Sequence, residues 1–129
     1  MSALAAPSAG PALFPAFLKL AGRRVLVVGG GRVAQGRLPA LLSSGAEPTV
    51  VAPEVREEIV ALGVRVLRRA FRESDVDGAW LVVAAATPDV NRTVGVAAAA
   101  RGVFVNAVDD PDAATVYTGG VLRRAGFTI

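Results

Sequence analysis

A chain of 129 residues and 13.1 kDa holds one domain, and its 53% hydrophobic and 19% charged residues exclude a disordered polyelectrolyte. It has no cysteine and no histidine, which excludes disulfide scaffolds, thiolate and imidazole metal sites, and Ser–His or Cys–His nucleophiles, so acid–base chemistry falls to Asp, Glu, Tyr or a cofactor. The net charge of +3 comes with only 5% aromatics, and with Lys19 as the single lysine, so nucleic acid is not an expected partner and the arginine excess suits carboxylates and phosphates or mirrors a biased genome.

Residues Met1–Ala12 are rich in Ala, Pro, Ser and Gly, with no basic n-region before the apolar stretch. They read as a flexible leader rather than a signal peptide, and the expected location is cytoplasmic. Arg, Gly or Pro interrupts every apolar run, so neither a transmembrane helix nor a membrane partner is expected. Order is expected from Leu13, with Leu13–Leu20 a short strand and Ala21–Arg23 a turn. Arg24–Val28 is β-branched and apolar throughout, the pattern of a strand buried on both faces. Arg32–Ser43 has helical spacing, with Val33, Leu38, Leu41 and Leu42 placed to pack, Gly45 as a left-handed cap and Pro39 predicting a kink or tight local packing. Thr49–Ala52 predicts a strand, Glu54–Leu62 a short helix, Val64–Leu67 a third strand and Arg68–Asp77 a polar connection. Ala79–Ala85 is a fourth strand. Pro88–Arg101 is a helix with proline in its first turn. Val103–Val108 is a fifth strand and Asp109–Asp112 a turn. Val121–Arg124 and Phe127–Ile129 read as a C-terminal hairpin. Strand and helix alternate at the βαβ period, which predicts an α/β, doubly wound, mostly parallel sheet with helices on both faces.

Gly29-Gly30-Gly31-Arg32-Val33-Ala34 fits G-x-G-x-x-A between a buried strand and a helix, the context in which that pattern binds a dinucleotide. Gly29 permits the sharp turn, Gly31 lets backbone approach a pyrophosphate, and Ala34 lets helix pack on strand. The helix N-terminus offers N–H groups and partial positive charge to phosphates. The acid that usually closes the second strand is replaced by Ala52 and Pro53, with Glu54 next. Glu54 can reach the ribose, where its charge disfavours a 2′-phosphate and favours NAD over NADP. Equally, it is an acid in a helix first turn, where the macrodipole favours one anyway. Ala85 and Thr87 close the fourth strand on the nicotinamide side of the crevice, where small residues permit either close cofactor approach or close packing.

Asn106-Ala-Val-Asp-Asp-Pro111 closes the fifth strand, where ligands of open α/β sheets bind. Asp109 there can accept a proton while a hydride leaves to a cofactor, or serve as turn chemistry. Asp110 fits the turn role better.

These residues occur in order with Thr49-Val-Val-Ala-Pro53, Asp77-Gly-Ala-Trp-Leu-Val-Val-Ala-Ala85 and Asn91. The set resembles the N-terminal module of the siroheme synthases, the precorrin-2 dehydrogenase and sirohydrochlorin ferrochelatase family, over Leu13 to Ile129. The resemblance implies a Rossmann-like fold and NAD-dependent oxidation of precorrin-2 to sirohydrochlorin, often with Fe²⁺ insertion as a second step. It places the catalytic aspartate at Asp109, with Asn106 beside it on the substrate side. It places NAD contacts at Gly29–Gly31, Arg32, Val33, Pro53 and Glu54. Precorrin-2 bears many carboxylates, so Arg68, Arg69, Arg72, Arg92, Arg101, Arg123 and Arg124 are candidate receivers. The chain departs from the family at Gly36-Arg37, at Val116-Tyr-Thr-Gly-Gly120 and in a loop before Asn91 that is one residue short. The family pattern also leads to the expectation of a homodimer, built by a C-terminal region that would follow Ile129. An NAD-binding sensor domain without catalysis is the alternative, and Ala52 argues against it. A methyltransferase would want an acid before the glycine turn, where Val27-Val28 stand.

Overall fold

The apolar run Arg24–Val28 forms β1 at the centre of a five-stranded sheet, with buried residues from Val25 onward. The computed structural model describes residues 10–108 and 112–117. After β1 come α1 (Arg32–Ser43), β2 (Glu47–Val51), α2 (Glu57–Val60), β3 (Arg65–Leu67), a 3-10 turn (Glu73–Val76), β4 (Leu81–Ala84), α3 (Pro88–Ala100) and β5 (Phe104–Ala107). The sheet order is β3-β2-β1-β4-β5 and all four pairings are parallel. The chain therefore winds outward through β2 and β3, returns across β1, and winds outward again through β4 and β5. That is the doubly wound Rossmann-like arrangement, with its switch point between β1 and β4. The expected C-terminal hairpin lies outside the described residues.

Alternation along the strands sorts the core into two faces. Val25, Val27, Val50, Leu81 and Val83 join Ala34, Leu38 and Leu41 of α1 and Ile59 of α2 in one apolar cluster. Leu26, Val82 and Val105 point to the opposite face, and α3, which packs on β4 and β5, buries Val94, Ala97 and Ala98. The buried stripe of α1 is Ala34, Leu38 and Leu41. Val33 and Leu42, expected in that stripe, flank it and are partly exposed. α1 continues through Pro39, which lies on its exposed side, so the ring is not tightly packed.

Several expected bounds move. Residues 10–20 form no strand, and Phe14 and Phe17 there are exposed, so the apolar composition of Leu13–Leu20 does not reflect sheet pairing. They fall, up to Lys19, in a compact unit separate from Leu20–Val116. β2 starts two residues early and includes Pro48. The N–H of Glu47 donates to Arg23 in β1's direction and that of Ala52 donates to Leu67 towards β3, so position 48 faces the β3 side before β3 begins, and no ladder bond is lost. The helix expected over Glu54–Leu62 shrinks to Glu57–Val60, because residues 53–56 pack against the glycine turn. Gly63, at φ 78°, follows it. β3, β4, α3 and β5 each lose one to three residues at their ends to turns.

The connection read as polar loop has a fixed structure. Asp75 is 7% exposed, and Arg69 donates to its two carboxylate oxygens at 2.6 and 2.9 Å. The backbone N–H of Arg72 adds a bond of 2.8 Å. The Arg69 guanidinium, against the opposing effect of burial, holds the Asp75 carboxyl below the usual carboxylate range. Arg24 at the start of β1 donates to the carbonyls of Asp75 and Asp77 at 3.0 and 2.6 Å, tying the crossover to the central strand. At the other edge, Val105 of β5 donates its N–H to Thr115 Oγ1 at 2.8 Å, and its carbonyl accepts from the N–H of Thr115 and Val116. These bonds satisfy outward-facing edge groups of the sheet. No helix among the described residues is long and apolar enough to cross a membrane.

Candidate functional site

The carboxyl ends of β1 and β4 diverge at the switch point, and the glycine turn fills the gap. Gly29 adopts φ 135°, a conformation closed to most side chains, and a Cβ there would fall less than 3.0 Å from the Ala85 carbonyl oxygen. A Cβ on Gly30 would likewise run into the carbonyl oxygen of Glu54. These two glycines are demanded by the protein's own backbone contacts. Gly31 differs. A Cβ there meets no protein atom within 4 Å, so its smallness serves open space rather than packing. That space lies over the start of α1. Gly31 is the N-cap, no side chain caps the helix, and its first turn holds no acid. The first intrahelical bond is donated by Gln35 to the Gly31 carbonyl at 3.0 Å. The N–H groups of Arg32, Val33 and Ala34, ahead of that bond, thus lack i−4 acceptors within the helix. Ala34 is fully buried, as close packing of α1 on β1 requires. A donor-rich, anion-favouring end beneath an absent Cβ fits a pyrophosphate.

On the β2 side, residues 53–56 lie against this turn, and the N–H of Arg56 donates to the Gly30 carbonyl at 2.9 Å. The Arg56 guanidinium donates to Gln35 Oε1 at 2.7 Å and to Glu58 at 3.0 Å, linking α1 to α2. A cleft of about 430 Å³ opens here, bounded by Arg32, Gln35, Arg56 and Glu58. Pro53 and Glu54 are exposed beside it, and no bond to the Glu54 carboxylate occurs among the described residues.

On the β4 side a second cleft, about 410 Å³, is lined by Val33, Ala85, Ala86, Pro88, Asn91, Arg92 and Val108. Its floor is held by Asn91, 3% exposed, whose Oδ1 accepts from the Ala86 N–H at 2.9 Å and whose Nδ2 donates to the Ala86 carbonyl at 3.4 Å. Thr87 Oγ1 accepts from the Val90 N–H at 3.4 Å and so caps α3. The Asn106 side chain donates from Nδ2 to the Val116 carbonyl at 3.0 Å, which anchors the segment after β5. Asp109 and Asp110 lie outside the described residues. Among the described residues no cluster of three His, Cys, Asp or Glu could hold a metal ion.

The structure therefore gathers Gly29–Gly31, Arg32, Val33, Pro53, Glu54 and Ala85 around one switch point, with a cleft on each side of α1. Thr87 and Asn106 bond the backbone of Val90 and Val116 instead, and neither lines the cleft. The sequence reading had Asn91 only as a member of the motif set and Arg92 only as one of seven candidate acid receivers; it missed the Asn91 clamp on Ala86, and Pro88 and Arg92 as cleft walls. A single amide in the otherwise apolar, buried face of α3 was the available signal for Asn91.

Comparison with known proteins gives the family. Residues 16–120 match the family described as "Putative NAD(P)-binding". The chain is 42% identical over 120 residues to a siroheme synthase of Pseudomonas entomophila, an alignment covering 89% of this chain and 26% of that protein. It is 41% identical over 121 residues to the siroheme synthase of Chromobacterium violaceum, covering 90% and 26% respectively. The chain thus spans about a quarter of the length of these curated relatives. Among solved structures, "SirC, precorrin-2 dehydrogenase" superposes with a TM-score of 0.59 at 41% identity, covering 64% of this chain and 44% of that one.

Proposed function

The chain belongs to the NAD(P)-binding family whose model spans residues 16–120, and on that premise we propose that it is the precorrin-2 dehydrogenase module of a siroheme synthase, with NAD⁺ as oxidant. The observation that carries the cofactor half is Gly31, where a missing Cβ opens space at the start of α1, whose first N–H groups have no acceptor within the helix. The substrate half is supported by identity of about 40% to siroheme synthases and to a precorrin-2 dehydrogenase structure.

In this reading the pyrophosphate rests on the N–H groups of Arg32, Val33 and Ala34. The adenosine half extends toward Pro53 and Glu54, where the free carboxylate of Glu54 accepts from a ribose hydroxyl and repels a 2′-phosphate. The nicotinamide half extends into the cleft walled by Val33, Ala85 and Ala86. A bound nicotinamide supplies the hydride acceptor. Asp109 takes the proton that leaves as a C–H bond of precorrin-2 is broken, so that one hydride and one proton depart and a new double bond remains. Thr87 and Asn106 shape the walls through their backbone bonds. The same reading takes the working enzyme as a homodimer that also inserts Fe²⁺ into its product, both carried by the motif resemblance.

Asp109→Asn tests the chemistry. It preserves shape and removes the base, so turnover is expected to fall about 10²-fold or more while NAD⁺ affinity holds. Asp110→Asn is the comparison, expected to be mild. Wild-type rates from Asp109→Asn would return that residue to turn chemistry.

A further inference from the structure

The cleft on the β4 side has one charged wall. Val33, Ala85, Ala86, Pro88 and Val108 are apolar there, and the Asn91 amide is committed to Ala86 on both of its ends. Arg92, in the second turn of α3, is the exception. Its Nη2 pairs with Asp89 one turn earlier, both side chains being exposed, and no other bond to its guanidinium occurs among the described residues. An exposed pair at that spacing is weak, so an incoming carboxylate displaces Asp89, or shares the guanidinium with it, at little cost. Two of the other arginines suited by type to receive acids are committed within the chain. Arg69 holds Asp75 through two bonds, and Arg101 holds Asp77 and the Ala97 carbonyl. The cofactor's phosphates have their own donors on α1, at the opposite wall.

We propose that Arg92 is the substrate's carboxylate receptor: it fixes one acid group of a largely apolar polycarboxylate at the rim of the nicotinamide cleft, and so selects substrates that carry an acid at that distance from the reacting carbon. The inference rests on the tetrapyrrole dehydrogenase reading above and names a specificity-determining contact within it. Planar guanidinium suits this role, because it can meet a carboxylate through two parallel N–H donors.

The test is titration of sirohydrochlorin, which retains the substrate's carboxylates, into protein saturated with NAD⁺, followed by absorbance. Arg92→Gln is expected to weaken sirohydrochlorin about tenfold, with Arg92→Lys between it and wild type. NAD⁺ affinity and the helical circular dichroism of both variants should match wild type. Carboxyl-esterified sirohydrochlorin should bind wild type and Arg92→Gln alike, a result that a merely structural role for Arg92 would not give. Unchanged sirohydrochlorin affinity in Arg92→Gln overturns the proposal while leaving the dehydrogenase reading intact. A fall in NAD⁺ affinity instead overturns it by assigning Arg92 to a cofactor phosphate. Wild type that binds NAD⁺ but no sirohydrochlorin removes the tetrapyrrole reading, and this inference with it.

Discussion

Gly31→Val separates the ligand's demands from the protein's own. Gly31 has φ −97° and ψ −159°, extended backbone that a β-branched residue adopts without strain. No protein atom lies within 4 Å of the new Cβ. The folding cost is then confined to a poorer N-cap, about 1 kcal/mol, which lowers Tm by about 4 °C for a chain of this length. Binding suffers far more. The isopropyl group occupies the space through which phosphate oxygens reach the N–H groups of Arg32, Val33 and Ala34. Hydrogen bonds to charged groups contribute about 1.5–3 kcal/mol each, so losing two removes at least about 3 kcal/mol, or more than 10²-fold in Kd. Calorimetric titration with NAD⁺ and a thermal melt read the two effects separately. Gly30→Ala is the converse: its Cβ collides with the Glu54 backbone, so the fold suffers first. A folded Gly31→Val protein with wild-type NAD⁺ affinity would refute the reasoning.

Three further perturbations follow from other parts of the structure. Asp75→Asn should cost about 1–3 kcal/mol, since it weakens the Arg69 pair and leaves that guanidinium poorly matched. Because the folded Asp75 carboxyl is held low, its contribution is full above about pH 4 and is lost as pH falls through the lowered value; denaturant midpoints of wild type and variant should therefore converge in acid, and a constant gap down to pH 2 contradicts this. Asn91→Leu leaves the Ala86 N–H and carbonyl without their side-chain partner and should lower stability by about 1–3 kcal/mol and weaken NAD⁺; an unchanged melt and unchanged titration would show that the clamp does nothing. Glu54→Arg should move the NADP⁺/NAD⁺ affinity ratio upward by about tenfold or more, and an unmoved ratio would place the ribose elsewhere.

The fold was legible where burial on two faces made runs of apolar residues continuous. β1 and α1 fall on their expected bounds because a buried parallel strand and a glycine-flanked helix leave little choice of ends. The misreadings share a cause, which is tertiary contact between segments far apart in sequence. Glu54–Arg56 has helical composition, but its backbone is drawn into contact with Gly30, so α2 starts late. Arg68–Asp77 looks like solvated loop, and its order comes from one bidentate pair and the reach of Arg24. Leu13–Leu20 has a strand's residues without a strand's partner.

The site was legible in a different way. Local geometry at Gly29–Ala34 follows from chain chirality and helix termini alone, so a short motif in context located it. The walls of the β4-side cleft did not follow, because Asn91 and Arg92 reach it only through the docking angle of α3. The divided roles of the three glycines also became visible only with the Ala85 and Glu54 backbones in place.

The central claim is that NAD⁺ held on the glycine turn oxidises precorrin-2. Anaerobic incubation of the protein with precorrin-2 and NAD⁺, recording NADH and sirohydrochlorin absorbance together, tests it most directly. The account predicts that the two rise in equal amounts, and that the rise is abolished with Gly31→Val. NAD⁺ binding at the turn without any oxidation of precorrin-2 would contradict it.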